Sequence, residues 1–403
     1  MKKILIFSTA YLPLVGGAEI AVKELTDRLA GFPAQGACLP ARQEPVSGWD
    51  FDLITARIKR QLTAQEKIGR VMVYRVGLGY KLDKFLLPIL GLIKAIKLNG
   101  RNNYQIIWSI MASQASVAAA FLKIFFSTKK LVLNIQEGDE EEHLKRYVLG
   151  NNLLYKILIR PWHLLVFKKA DYITAISADL KERARGNGAK ATIEIIPNGV
   201  DVQRFIQEYK IEDLLVLKNK LGKLADNKFI ITVSRLVLKN AVDDIIKALK
   251  YLPDNVKLLI LGAGQDENSL KLLVQELKLG KRILFLGQVG HEELPKYLKI
   301  SDVFVRPSLS EGLGNAFLEA MASGVPIIAT PVGGIVDFLR DGETGLFCEV
   351  RNPGSIAEKI KIYLENKALT DKIKINGREL VIKNYDWDLI AKRMEKIFEK
   401  VIV

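Results

Sequence analysis

Twice along this chain, short runs of Ile, Val and Leu alternate with longer segments whose apolar residues recur at helical spacing, a pattern that specifies strand-helix-strand units in parallel sheets. The first series places strands over residues 3–8, 51–55, 71–76, 106–109, 130–135, 172–176 and 192–196. The second follows a polar helical stretch at 208–223 and places strands over 229–233, 257–261, 283–286, 303–306, 327–329 and 345–348. Most of these runs are continuously apolar, as strands covered on both faces must be. Pro197-Asn198-Gly199 punctuates the junction, because proline followed by Asn-Gly favours a turn between elements. The expected division is residues 1–203, residues 204–385 and a last amphipathic helix over 386–403. Residues 32–48, with several Gly and Pro and little periodicity, read as a surface insertion.

A length of 403 residues accommodates two such domains. The longest apolar run, 85–93, ends at Lys94, well short of the roughly 20 residues a spanning helix needs, so no segment is expected to cross a bilayer. The opening Lys2-Lys3-Ile4-Leu5-Ile6-Phe7 reads as a buried strand rather than a leader, since Ser8, Thr9, Tyr11 and Pro13 interrupt the apolar stretch. Cys38 and Cys348 make no disulfide framework, which fits a reducing, cytoplasmic setting. Lys and Arg exceed the acids by 15, which points to an anionic partner: nucleic acid, an acidic membrane face or a phosphorylated small molecule.

Three stretches could carry chemistry. After the first strand, Pro13-Leu14-Val15-Gly16-Gly17-Ala18-Glu19 runs into a helix. Two glycines allow close backbone approach, and the helix start offers free N–H groups to a phosphate, although a glycine pair in a βα turn serves steric needs just as often. In the second stretch, 305–326, a strand ends at Ser308 and a helix begins near Asn315. Glu311 precedes that helix, Glu319 lies one turn in, and a helix N-terminus between two carboxylates can hold a sugar and a ribose around a diphosphate. The bland alternative is a capped helix with two solvated glutamates. In the third stretch, Arg235 stands just past a strand end with Lys239 four residues on, two cations at the mouth of a parallel sheet, where ligands of open α/β folds bind. Alone, that pair would read as ordinary surface charge.

Taken in order, Gly16-Gly17-Ala18-Glu19, the Ile196-to-Asp201 turn, Arg235, the Glu311 and Glu319 pair and Gly333-Gly334 resemble the retaining, nucleotide-sugar-dependent glycosyltransferases of family 4 (group 1). The resemblance covers nearly the whole chain. It implies the GT-B fold, an α/β architecture of two Rossmann-like domains whose parallel sheets face each other across a cleft. The first domain would take the acceptor, the second the donor, and the final helix would cross back onto the first. It also implies a hexosyltransferase-type activity with retention of configuration. By similarity, Arg235 and a nearby lysine hold the donor diphosphate, Glu311 contacts the donor sugar and Glu319 the ribose. Gly312, Leu313, Gly314 and Asn315 would supply backbone contacts, Gly287 and Val289 would flank the base, and Gly16 and Gly17 would close over the phosphates.

Two positions depart from the family pattern. Where a lysine followed by glycine usually stands five residues after the arginine, this chain has Asn240 and Ala241, with Lys239 one place earlier. Where a histidine commonly follows the fifth strand, it has Gln136-Glu137-Gly138-Asp139, and His143, His163 and His291 do not obviously replace it. A missing base is tolerable if the leaving phosphate oxygen takes the acceptor's proton. Gln136 can bond a sugar hydroxyl but cannot act as a base, and Asp139 is a weaker candidate for the same contact. No cofactor and no metal are expected: Asp50-Phe51-Asp52 and Asp386-Trp387-Asp388 read as structural, and no His and Cys cluster has zinc spacing.

The expected partners are a nucleotide-sugar donor, a glycan or lipid-linked acceptor and an anionic membrane surface. The last rests on two basic, apolar stretches, 80–101 and 153–169, that could lie at the inner membrane face or could simply be helices of the first domain. Rival readings are a sugar-nucleotide epimerase of the same architecture, a dinucleotide-dependent oxidoreductase and a non-enzymatic basic binding protein. The oxidoreductase lacks its fingerprint, since Gly262-Ala263-Gly264 reaches Glu267 where a third glycine should stand. No zinc-finger, bZIP or RNP-like signal supports a nucleic acid partner.

Overall fold

The structure, a computed structural model, describes residues 2–14, 16–31, 48–136, 144–145, 148 and 150–402. Asp139, Cys38 and most of the 32–48 insertion lie outside the described residues. The chain forms two compact units, Met1–Gly199 with Trp387–Val403, and Val200–Asp386. Each is an α/β unit around one sheet.

The first unit holds β1 (Lys2–Phe7), β2 (Trp49–Ala56), β3 (Gln65–Ile68), β4 (Val71–Val76), β5 (Ile106–Ile110), β6 (Lys130–Ile135), β7 (Tyr172–Ala175) and β8 (Thr192–Ile195). Their order across the sheet is β3-β4-β2-β1-β5-β6-β7-β8, parallel throughout except that β3 runs against β4. Side chains alternate along β1, so Ile4 and Ile6 join one core layer while Leu5 and Phe7 join the layer on the opposite face. Four helices of this unit matter below: α1 (Gly17–Leu29), α2 (Asp83–Asn99), α3 (Gln114–Phe125) and α4 (Arg160–Lys169). The C-terminal helix, Trp387–Ile402, buries Ile390, Met394, Ile397, Phe398 and Val401 at spacings of three and four, and so completes the layer containing Ile4 and Ile6. The Phe398 ring sits 5.6 Å from that of Trp49 and 5.3 Å from that of Trp108. Polar ties fix the same helix: Arg28 donates to Asp388 at 2.6 Å, and the Trp49 indole donates to Glu395 at 3.1 Å.

The second unit holds β9 (Lys228–Val233), β10 (Val256–Leu261), β11 (Ile283–Gly287), β12 (Val303–Arg306), β13 (Ile327–Ala329) and β14 (Leu346–Phe347), all parallel and ordered β11-β10-β9-β12-β13-β14. That is the doubly wound order in which the direction of winding reverses between β9 and β12. Open sheets of this kind leave a crevice at the carboxyl ends of the strands on either side of the reversal. Arg235 follows β9 and Ser308 follows β12, so two of the candidate stretches open onto the same crevice.

The thirteen runs read from sequence are all strands, with ends shifted by a residue or two. The structure adds β3. Its four residues, Gln-Glu-Lys-Ile, lie at the sheet edge with exposed and half-buried positions only, so no apolar pattern marks it.

Candidate functional site

In the second unit the loop after β12 folds back toward β12 itself. Arg306, the last residue of β12, is 6% exposed, yet its guanidinium carries a permanent charge. The fold answers that charge with Glu311: Arg306 Nη2 donates to Glu311 Oε2 at 2.6 Å, Nη1 donates to the Val233 carbonyl at 3.2 Å, and the guanidinium stacks 4.4 Å over the Phe317 ring. The other carboxylate oxygen, Oε1, accepts the Gly312 amide at 3.2 Å. Glu311 is thereby oriented before any ligand arrives, and a carboxylate with about four acceptor positions still has capacity for sugar hydroxyls.

Gly333 and Gly334 support the same residue from behind. A Cβ on Gly333 would overlap the Glu311 carbonyl oxygen, and Gly333 adopts φ +52°, so no other side chain fits there without moving the glutamate. Gly334 donates its amide to that carbonyl at 3.1 Å. Past Glu311, Gly312, Leu313 and Gly314 are buried, Gly314 turns with φ +89°, and Asn315 opens the helix Asn315–Ala322. Its first N–H groups have no intrahelical partners and so form an electropositive end.

Glu319 belongs to a different network. His291 Nε2 lies 2.9 Å from Glu319 Oε1, and Arg204 Nη1 lies 2.7 Å from His291 Nδ1. A guanidinium can only donate, so Nδ1 accepts and the ring proton sits on Nε2, aimed at the glutamate. Asp201 and Glu292 anchor Arg204 at 3.1 Å each, and Phe205 packs edge-on against the imidazole. Glu319 is thus held by one neutral ring that is itself held in a single tautomer.

Arg235 is exposed, and its guanidinium has no hydrogen bond or ion pair among the described residues. Its backbone is fixed instead, because the Asn240 side chain, 5% exposed, turns inward and donates to the Arg235 carbonyl at 2.6 Å. Lys239 is half-buried, and its carbonyl accepts the Leu309 amide at 2.7 Å, which ties the loop after β9 to the loop after β12. Ala241 adopts φ +48° and ψ +42°, a left-handed backbone suited to the glycine that the family has there. Gly287 ends β11 at φ +67°, with Val289 half-buried two residues on. Gly262 serves packing: a Cβ there would overlap the Ser234 carbonyl oxygen, so the Gly262-Ala263-Gly264 segment lies against the β9 loop.

In the first unit, Gly16 caps α1 through its carbonyl, which accepts Ile20 N at 3.1 Å, and Gly17 is exposed at the helix start. Gln136 lies just past β6. Its amide donates to Asn134 at 2.7 Å and accepts from Asn198 at 3.1 Å, and Asn134 in turn donates to Thr174 at 2.8 Å. Of the two Asp-x-Asp segments, Asp52 accepts a hydrogen bond from the Tyr104 hydroxyl and Asp388 pairs with Arg28. Burial raises the Asp52 carboxyl above its usual range. Among the described residues no group of three or more His, Cys, Asp or Glu side chains is placed to hold a metal ion.

Arg306, His291 and Arg204 are contacts that sequence reasoning did not assign. Arg306 stood within the quoted stretch, and its signal was a charge at the end of a fully buried strand, which demands a partner nearby.

Two family models match consecutive parts of the chain: Glycosyltransferase Family 4 over residues 41–204 and Glycosyl transferases group 1 over residues 213–380. The chain belongs to the family 4, group 1 glycosyltransferases. An uncharacterised glycosyltransferase of Methanocaldococcus jannaschii is 27% identical over 99% of both chains. A GDP-mannose-dependent phosphatidylinositol monomannoside mannosyltransferase of Mycobacterium tuberculosis is 30% identical over 56% of this chain and 60% of its own length. Among solved structures, Anabaena HepE in complex with UDP and glucose superposes with a TM-score of 0.78 at 18% identity, over 99% of this glycosyltransferase and the whole of that chain. The GT-B fold follows from that likeness and from the two sheets.

Proposed function

We propose that this glycosyltransferase moves a hexosyl group from a nucleoside-diphosphate sugar to a glycan or lipid-linked acceptor, with retention of configuration and without a metal ion. One observation carries the reading: at the winding reversal of the second sheet, an exposed Arg235 with no anionic partner among the described residues accompanies a helix N-terminus and a carboxylate already oriented by Arg306. Fixed positive groups and N–H donors are what a departing diphosphate requires, since they stabilise charge as it develops without reorganising. The names of the relatives support the donor class: HepE was solved with UDP, and the mycobacterial enzyme is described as GDP-mannose-dependent.

In the proposed step the bond from the anomeric carbon to the diphosphate oxygen breaks with its electron pair leaving on phosphate. A new bond forms to the acceptor oxygen on the same face, and the acceptor's proton passes to the leaving phosphate oxygen. Arg235 neutralises the diphosphate, Glu311 grips the sugar hydroxyls and Glu319 the ribose. Gln136 orients a hydroxyl without taking its proton.

A thermal-shift panel of UDP, GDP, ADP and CMP with their common sugars identifies the donor, and proton NMR of the product reads the anomeric configuration. Stabilisation by a diphosphate and its sugar, followed by transfer with retention, is the expected result. Inversion of configuration would overturn the mechanism, and interconversion of donors without transfer would mark an epimerase instead.

A further inference from the structure

Helix α2 is apolar on two opposite faces. Leu87, Gly91, Ala95 and Leu98 are buried against the first sheet, and α3 packs alongside. The opposite stripe, Leu82, Leu86, Ile89, Ile93 and Ile96, recurs at the same spacing of three or four but is 41–69% exposed. One buried stripe suffices to hold a helix on a sheet, so the second is unexplained by folding. It is not isolated. α3 ends in Ile124 and Phe125, 47% and 65% exposed, and its Phe121 ring packs 5.7 Å from Trp162 of α4. The turns leading into α4 expose Leu153, Ile157 and Leu158 at 55–66%.

The charge on these described segments is mostly of one sign, although Lys123 of α3 pairs with Asp171 at 2.9 Å. Residues 78–136 and 150–170 contain twelve Lys and Arg and a single acid, Asp83. That acid is 2% exposed and turned inward, where it accepts the Gly79 and Tyr80 amides. Lys81, Lys97, Lys156 and Arg160 are exposed among the apolar residues. A predominantly basic rim around bulky aliphatic and Trp side chains matches an anionic lipid surface, with apolar groups entering the acyl boundary and cations at the headgroups. No helix among the described residues is long and apolar enough to cross a membrane, so the contact is peripheral.

We propose that the α2 stripe, the end of α3 and residues 153–162 leading into α4 form one docking surface for an anionic phospholipid bilayer. The surface belongs to the first unit and the donor crevice to the second, and the inference holds whether or not the transfer reaction is as proposed.

The test is flotation of the full chain with vesicles of phosphatidylglycerol and phosphatidylcholine, against vesicles of phosphatidylcholine alone, at low and high salt. The wild type is expected to float with the anionic vesicles, to bind neutral ones weakly and to be released by salt. Ile89→Ser with Ile93→Ser, both at exposed positions, should lower partitioning by on the order of tenfold per isoleucine, because each loses a buried side chain's transfer energy. Lys97→Glu with Lys156→Glu should abolish the preference for anionic vesicles. Val216→Ser, at a position 69% exposed in the second unit, is the control and should float like the wild type. Unchanged melting temperatures and unchanged nucleotide-induced stabilisation would separate loss of docking from loss of fold or of donor binding. Failure of the wild type to float, equal binding to neutral vesicles, or a dimer that the Ile89 and Ile93 changes dissociate in place of any vesicle binding would each overturn the proposal.

Discussion

Replacing Glu311 by alanine removes the carboxylate that faces Arg306 and so tests the donor site and the fold together. The Arg306 side chain is 7% exposed and that of Glu311 16%, so the pair is largely withdrawn from water. Without Glu311 the guanidinium keeps its bond to the Val233 carbonyl and its stack on Phe317, but Nη2 loses its partner and Nε already has none among the described residues. Breaking a buried pair from one side costs about 3–5 kcal/mol, and the residual exposure of Glu311 favours the lower figure, about 3 kcal/mol. In a unit of this size that corresponds to a fall of roughly 6–12 °C in its melting transition. Arg306→Met with Glu311→Leu replaces the pair by apolar side chains of similar volume and should recover most of that loss, leaving the double variant about 2 kcal/mol more stable than Glu311→Ala. Scanning calorimetry of Glu311→Ala, Arg306→Met and the double variant, with transfer assayed in parallel, makes the comparison. Transfer should be lost in all three. A Glu311→Ala melting temperature within a degree of wild type, or a double variant as unstable as the sum of the singles, would refute the claim that Arg306 orients Glu311.

Arg235→Ala should lower kcat/KM at least about a hundredfold while leaving the melting temperature unchanged, because the guanidinium is exposed and makes no ion pair among the described residues. Ala241→Gly relieves a left-handed alanine and should stabilise the second unit by about 1 kcal/mol in denaturant titrations. Phe398→Ala, emptying a site between Trp49 and Trp108, should cost about 3–5 kcal/mol and lower the first unit's transition by roughly 10 °C. Burial pushes the Cys348 thiol from 9.0 up to about 12, so the folded chain keeps the proton where the unfolded chain would lose it. Its contribution to stability is therefore complete below about pH 9 and is lost as pH rises toward 12, a decline that Cys348→Ala should lessen. In native protein at pH 8, mass spectrometry should find Cys348 unalkylated by iodoacetamide.

Much of this architecture is legible in the chain because it follows from local rules. Strands covered on both faces read as near-continuous apolar runs, so β6, β12 and β13 could be read to the residue. Strand β3 could not, because an edge strand pairing on one side needs no apolar face. The candidate stretches could be found as loops after strands, since the winding reversal brings the ends of β9 and β12 together in any sheet of this order. What joins them could not. Arg306 and Glu311 are neighbours because a loop reverses within five residues, whereas Arg204, His291 and Glu319 come from three separate segments that meet only when the unit has closed. Gly333-Gly334 was visible as a motif, but its purpose, room for the Glu311 backbone, is a property of packing.

The most direct measurement is a crystal structure of the chain with its nucleoside-diphosphate sugar. The diphosphate should lie within hydrogen-bond reach of the Arg235 guanidinium and the first amides of the Asn315–Ala322 helix, with the sugar against Glu311 and the ribose against Glu319. A nucleotide bound away from the ends of β9 and β12, with Arg235 untouched, would contradict the account.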